Sequence, residues 1–388
     1  MSFTSTNTIN NPYKLYFLAR VELQLHSLNT AGSIGNYKKL QEGDVIHGNS
    51  IIRVPVITGN ALKNWHARRM VTRYTDLGGK NIHERHFRDM LRLAPEDIQG
   101  NQNASTIDKE RSIITGCAIC DVHGFLVPIK PPIRREGLIR FSFAVPVEEI
   151  VAQRLKFGIT HNRVVPIIGR EQEVREKEGE EEKKEVEMMI IKQEYASAIY
   201  AFDSVLDIAM IGRSQYVNEN QKEGVSGGIG GWLGSKLIDG QNNEIALRAK
   251  AAILSFDAVL TGEMGANVSR ASPLAKPLVV VAIVTNKSIP KPLHPYYQAW
   301  KQDLANILRV FKDRIEKVYV YGIKRSDLIQ YISSSSDKSS SDENLKKELE
   351  ELEKELERKI AEFYTWYELI EKLAEDVGNA LSRSASKS

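Results

Sequence analysis

Cysteine is almost missing from this sequence: 388 residues contain two, Cys117 and Cys120. No disulfide framework can hold such a chain, and a reducing cytoplasm is its natural setting. Long hydrophobic runs are missing too. The longest, Leu278 to Val284, is far shorter than the roughly 20 residues a membrane helix needs. No basic start followed by an apolar stretch marks a signal peptide, so no membrane partner is expected. The glycine-rich stretch GVSGGIGGWLGSK lacks both the Walker lysine spacing and a strand-to-helix setting, which argues against P-loop nucleotide hydrolysis. Aromatic residues are sparse and show no RNP-type pattern, so base stacking on an open sheet by that signature is not indicated.

Net charge is small as well, at +3, but this is a cancellation. Residues 171–187 balance to −5 and residues 342–376 to −7, which leaves the remaining body at +15. A body of that sign attracts polyanions. The positive charge is locally dense: Lys130, Arg134, Arg135, Arg140, Arg154, Lys156, Arg163 and Arg170 face only three glutamates in residues 130–170.

The most informative stretch is IIRVPVITGNALKNWHARRM, residues 51–70. A β-branched run from Ile51 to Ile57 breaks at Thr58-Gly59-Asn60 and becomes a helix pattern carrying Lys63, His66, Arg68 and Arg69. Thr58 or Asn60 can cap the helix, and Gly59 lets backbone approach a ligand. Free N–H groups at a helix start, with cations behind them, suit a phosphate. An ordinary β-to-α connection with a solvated basic face uses the same residues.

Along the chain, Lys14 to Leu28 reads as a strand, and Asn29 to Asn49 as a long polar loop. Residues 72–115 read as a helical and irregular insertion. Leu138 to Val145 is a strand, 155–192 a loop with an acidic tip, and Tyr195 to Ile211 β-compatible. Residues 244–260 and 293–312 have helical spacing. Pro277 to Thr285 and Val318 to Ile323 are strands, the latter expected to be the last. This β, α, insertion, β, loop, β, α, β order fits an α+β sheet of the ferredoxin-like kind. Residues 333–341 are a serine-rich linker. Beyond it, apolar residues from Leu345 through Leu356, Ile360 and Phe363 to Leu373 form one stripe on a long charged helix, expected to dock on its own body.

Four further motifs bear on chemistry. Cys117-x-x-Cys120 followed by His123 offers three zinc ligands, with His161 as a distant fourth. A structural site needs four, so two half-buried thiols at a turn remain the plainer reading, and neither a cofactor nor a metal is expected. Thr160-His161-Asn162-Arg163 suits phosphate or base contact better than acid–base catalysis, which needs a partner group. LTGEMGANVSRAS, residues 260–272, offers a phosphate nest with Ser269 and Arg270, or equally a helix end capped by Gly262 or Gly265. Asp44 is an isolated loop aspartate.

Five segments, VPVITGNALKNWH, CDVHGFL, ITHNRV, EYASAIYAFDSVLDIAMIG and LTGEMGANVSR, together resemble the CRISPR-associated backbone subunit of the type I Cascade complex, in its archaeal I-A, DevR-type form. The resemblance implies a hand-shaped, cytoplasmic, RRM-like protein of antiviral defence. Its modified ferredoxin-like palm would comprise residues 13–71, 126–163 and 193–332, with a helical finger insertion at 72–125 and a thumb loop at 164–192. Residues 333–388, linker and C-terminal amphipathic helix, lie outside the pattern. Copies would stack head-to-tail along CRISPR RNA as a helical ribonucleoprotein filament and present the guide to target DNA. The partners would be small and large subunits, a guide-processing endonuclease and a helicase-nuclease. Asn36, Lys38, Lys39, Lys63, Arg68, Arg69, Arg134, Arg135, His161, Arg163, Ser269 and Arg270 would hold the guide. The implied role is non-catalytic. Related backbone subunits cut RNA with an aspartate in the loop Asp44 occupies, which makes a metal-dependent RNase one alternative. A zinc-binding structural module is the other.

Overall fold

A computed structural model describes residues 8–88, 90–98, 104–130, 132–166, 186–216, 236–238, 242–265, 272–334 and 343–385. The chain enters as β1 (Lys14–His26), followed by two hairpins, β2 (Thr30–Ile34) with β3 (Tyr37–Leu40) and β4 (Glu42–His47) with β5 (Ser50–Pro55). Next come α1 (Gly59–Asp76), α2 (Glu84–Arg88), α3 (Thr106–Gly116) and α4 (Ala118–His123). Short strands follow: β6 (Phe125–Val127), β7 (Ile133–Arg135), β8 (Ile139–Phe141) and β9 (Val145–Pro146). A long ribbon, β10 (Lys156–Pro166) and β11 (Val186–Leu206), precedes α5 (Asn242–Leu254), α6 (Phe256–Thr261) and β12 (Leu274–Thr285). Then come α7 (Trp300–Val310), β13 (Ile315–Tyr321), α8 (Arg325–Ser334), α9 (Glu343–Lys359), β14 (Ile360–Phe363) and α10 (Trp366–Ala385).

β1 lies between β11 and β12 and is antiparallel to both. β11 and β12 therefore run parallel with β1 inserted between them, and α5 and α6 make the crossover that parallel strands require. β8, β9 and β10 pair antiparallel with β11, so they run parallel to β1 and are reached from it through α1. β13 and β14 widen the sheet beyond β12. The result is an α+β fold on one large mixed sheet.

Helices cover both faces, so β1 is buried on both from Tyr16 to Ala19, within a continuous apolar run that starts at Leu15, and from Arg20 to Leu23 it alternates. Leu15, Phe17, Ala19 and Val21 enter one core with Leu62, Phe256 and Leu373, while Tyr16 and Leu18 enter the other with Trp300, Leu304 and Leu356. Phe17 and Phe256 stack at 4.0 Å between ring centroids. Each such side chain contributes about 1.5–3 kcal/mol by leaving water.

Three expectations change. The polar loop at Asn29–Asn49 is mostly strand, β2, β3 and β4, the last pairing with the β5 run that the sequence did show. The loop at 155–192 begins and ends in the β10–β11 ribbon, paired from Lys156 opposite Ala196 to Pro166 opposite Val186; its acidic tip lies outside the described residues. The single C-terminal helix is two, separated by β14, which pairs parallel with β13 and displaces it as the last strand. α9 packs on one face of the sheet through Leu352 and Leu356, and α10 on the other through Leu369, Leu373 and Val377. The apolar stripe therefore wraps round the sheet edge, and the segment docks on its own body as expected. Among the described residues, no helix is long and apolar enough to cross a membrane.

Candidate nucleic-acid interface

The strand-to-helix turn after β5 is held from three sides. Ile57 and Ala144 exchange backbone hydrogen bonds at 3.0 and 2.9 Å. The Thr58 N–H donates to Asn29 Oδ1 at 3.2 Å, and Thr58 Oγ1 caps α1 by accepting from the Ala61 N–H at 3.2 Å. A Cβ on Gly59 would sit 2.6 Å from the Phe141 carbonyl oxygen, so only glycine lets β8 pass this close. Thr58, Gly59, Asn60 and Lys63 form one wall of a cleft, and Ile139, Arg140, Phe141 and Phe143 form the other. The first turn of α1 carries no acidic residue, which leaves the positive end of the helix unneutralised.

Lys63 is half-buried beside Gly137 and Arg140. Burial, and then the charge of Arg140, lowers its pKa. Among the described residues it has no carboxylate partner. Arg140 is exposed and pairs with Asp207 at 2.7 Å. Phe143, 54% exposed, offers an apolar ring at the rim. Cations, helix N–H groups and an open aromatic ring are the parts that bind a sugar-phosphate strand without reading its bases.

The β2–β3 hairpin leads away from this cleft. It starts at Asn29, tied to Thr58, and ends where the Lys192 N–H donates to the Asn36 carbonyl at 3.0 Å. Lys39 and Lys192 lie 5.9 and 5.4 Å from the Tyr37 ring centroid. The Tyr37 hydroxyl donates to Glu194 at 2.6 Å. Burial alone would raise the Glu194 pKa, but that hydroxyl, the Leu40 N–H and Lys156 together lower it. Lys156 is neutralised by Glu42 and Glu194, at 2.8 and 3.4 Å. Asn36 and Lys39 are exposed and Lys38 is half-exposed. On β10, His161 shares a 2.9 Å hydrogen bond with the Tyr195 hydroxyl.

Other candidates do not converge. At about 100° per residue, Arg68 and Arg69 project roughly 140° and 240° round α1 from Lys63. Arg68 is exposed; Arg69 pairs with Asp257 and Glu263, at 3.3 and 2.6 Å. Arg134 is exposed on β7. Arg135 is corrected outright. Its guanidinium is fully buried and bonds Glu110 at 3.0 Å, Asp121 at 2.6 Å and the carbonyls of Asp121, Met210 and Arg213. With its donors engaged inside the protein, it is unavailable to a nucleic acid. The Arg163 side chain, Ser269 and Arg270 lie outside the described residues. Gly262 adopts φ +63° as the C-cap of α6, the capping reading of that motif. Sequence reasoning missed Arg140, Phe143, Tyr37 and Lys192 as site residues. Arg140 was visible as local charge, but only the β8–α1 contact shows which way it faces.

Asp44 sits on β4 and is held by a bidentate pair with Arg53, at 2.8 and 3.1 Å, which lowers its pKa. The one group of potential metal ligands among the described residues is elsewhere: His86, Cys117 and Cys120, with ligand atoms within 4.8 Å of one another. His123 faces His66 at 3.1 Å, and His161 is on the ribbon, so neither belongs to that group as the alternative zinc reading had them. Burial opposes ionisation of Cys117, but hydrogen bonds with Cys120 and His86 bring its pKa well below the usual thiol value. The contact with Cys117, followed by burial, pushes Cys120 well above it.

Comparison with known proteins supplies the family. A relative from Thermoproteus tenax, named CRISPR-associated protein Cas7/Cst2/DevR, is 35% identical over 309 residues, 78% of this chain and 85% of its own. One of the same name from Methanocaldococcus jannaschii is 29% identical over 345 residues, 86% of this chain and 98% of its own. A solved chain described as a CRISPR RNA-guided surveillance complex superposes with a TM-score of 0.41 at 9% identity, covering 93% of this chain and 98% of that one. The family described as CRISPR-associated negative auto-regulator DevR/Csa2 matches residues 17–303, and the chain belongs to that family of CRISPR-associated proteins.

Proposed function

We propose that the protein is a non-catalytic backbone subunit of a type I-A Cascade-like CRISPR complex that binds guide RNA along its phosphates. The β1-α1-β8-β11-α5/α6-β12 path is its ferredoxin-like palm, residues 72–125 its finger, and residues 164–192 its thumb. Guide RNA would run from the α1 cleft along the β2–β3 hairpin to the ribbon. Asn60, Lys63, Arg140 and Phe143 would hold it at one end, and Asn36, Lys38, Lys39, Lys192 and His161 at the other. Arg68, Arg134, Arg163 and Arg270 remain contributors by charge and Ser269 by its hydroxyl, whereas Arg135 and Arg69 drop out. Copies of the chain would bring the guide to target DNA beside the other Cascade subunits.

The observation that carries this reading is Lys63: a half-buried cation at the start of a long helix, without a carboxylate among the described residues. Such a group gains from an anion that both neutralises it and satisfies helix N–H groups. The Asp44 carboxylate is already engaged by Arg53 at 2.8 Å, which supports the non-catalytic assignment. The test is RNA binding as a function of salt. Lys63→Glu should weaken binding about tenfold for RNAs of unrelated sequence and flatten the log–log salt slope by about 0.7–1. Unchanged affinity in a variant with the parent's melting temperature overturns the assignment.

A further inference from the structure

We infer that His86, Cys117 and Cys120 form a zinc site that staples α2 to the start of α4. The assignment is independent of the RNA reading. Cys117 is the N-cap residue of α4, and its Sγ accepts the Cys120 N–H at 3.4 Å, so the C-x-x-C turn brings both sulfurs to one point. α2 then delivers His86, whose Nε2 lies 3.2 Å from Cys120 Sγ. All three ligand atoms fall within 4.8 Å of one another. Zinc–sulfur and zinc–nitrogen bonds of about 2.3 and 2.0 Å in a tetrahedron put neighbouring ligands roughly 3.3–3.8 Å apart. The cluster is within a short adjustment of that geometry, the 3.2 Å His86–Cys120 pair opening slightly, and two thiolates with one imidazole are a soft donor set suited to zinc. Both cysteines are free and buried.

A second observation comes from the histidine chain beside the cluster. His66 Nε2 lies 2.7 Å from the Ala252 carbonyl and must carry its proton there. Its Nδ1 is then an acceptor, so His123 Nε2, 3.1 Å away, is the donor. This leaves His123 Nδ1 as a bare lone pair, and that atom is buried without a partner among the described residues. His123 and His86 line the same cleft. A zinc-bound water in the fourth position can donate to that lone pair, which gives a buried acceptor the partner it lacks. The cleft is also lined by Lys63, Arg92 and Leu91, so the staple holds His86 in the lining of a cleft that includes a proposed RNA contact.

The full chain, purified without a metal-affinity step, should contain about one zinc per molecule by plasma mass spectrometry. Chelation should lower its melting temperature, and zinc but not magnesium should restore it. Cys117→Ser/Cys120→Ser should remove the metal. Should that variant fail to fold, stoichiometric cobalt titration of the chelated parent protein should produce a thiolate-to-cobalt charge-transfer band. Metal-free protein that neither takes up zinc nor shows that band overturns the proposal. So does full zinc content in the folded double variant, or a Cys117–Cys120 disulfide in protein isolated without air.

Discussion

At the scale of single residues, burial separates the arginines that the sequence leaves alike. Arg134 and Arg135 are neighbours, yet one is exposed and the other is the hub of a dry network with Glu110 and Asp121, which Arg248 joins at 3.0 Å. Removing one partner from such a network leaves carboxylates charged and unsolvated. Arg135→Met should therefore cost about 3–5 kcal/mol in urea denaturation, whereas Arg134→Met should cost little. Equal effects would show that Arg135 is not structural. His26 gives a pH signature. Its Nδ1 accepts from the Leu28 N–H at 2.7 Å and its Nε2 lies 3.0 Å from the Gly262 carbonyl. Burial lowers its pKa to about 4, against the smaller opposing effect of that carbonyl. The folded state therefore resists a proton that the unfolded chain accepts near pH 6.5. The His26 contribution is intact above pH 6.5 and falls by about 1.4 kcal/mol per pH unit down to about pH 4. In His26→Gln that share of the slope should vanish, so the stability gap to the parent protein should narrow on acidification.

At the scale of elements, buried strands were legible and exposed ones were not. β1 and β12 announce themselves through the apolar runs Leu15 to Ala19 and Leu278 to Val284, which lie where the sheet is covered on both faces. β2, β3 and β4 are largely exposed, with Ile34 and Ile46 69% and 72% accessible, so no alternation distinguishes them from a loop, whereas β5 was legible as the β-branched run that ends in buried Val54. The C-terminal stripe misled for another reason: its three- and four-residue spacing continues through β14 without a glycine or proline. The usable signal was Thr365-x-x-Glu368, a capping box, and Thr365 Oγ1 does accept the Glu368 N–H at 3.3 Å. α10 is then locked to the sheet by Asp376, which bonds Lys317 at 2.9 Å and the Tyr319 hydroxyl at 2.7 Å. Burial alone would raise the Asp376 pKa; these donors bring it down instead. Asp376→Ala strands the Lys317 ammonium, which is 4% exposed, and should cost about 3–5 kcal/mol. Asp376→Leu with Lys317→Met should recover most of that loss. If the double variant is no better than the single, the C-terminal segment is held by its apolar stripe alone.

At the scale of the whole molecule, two acidic segments account for the modest net charge, and the +15 that remains includes the cleft and the hairpin. A protein that grips phosphates on one subunit and repeats that grip on the next needs no base contacts. What it needs is an interface between unlike surfaces, because only a head-to-tail contact can propagate along a strand without closing. The β4–β5 hairpin carries Ile46 and Ile51, 72% and 74% exposed, on an element that projects outside the main sheet. Apolar residues at such a position favour burial against a neighbouring copy. The expected outcome is length-dependent assembly. Light scattering on complexes with single-stranded RNAs of increasing length should show protein mass rising in equal steps. RNAs of equal length and unrelated sequence should give the same mass, and Ile46→Asp/Ile51→Asp should reduce the product to isolated copies that still bind RNA. A single copy per RNA at every length would leave the phosphate-binding site standing and remove the filament. Stepwise growth that survives the double substitution would instead move the contact to another surface of the chain.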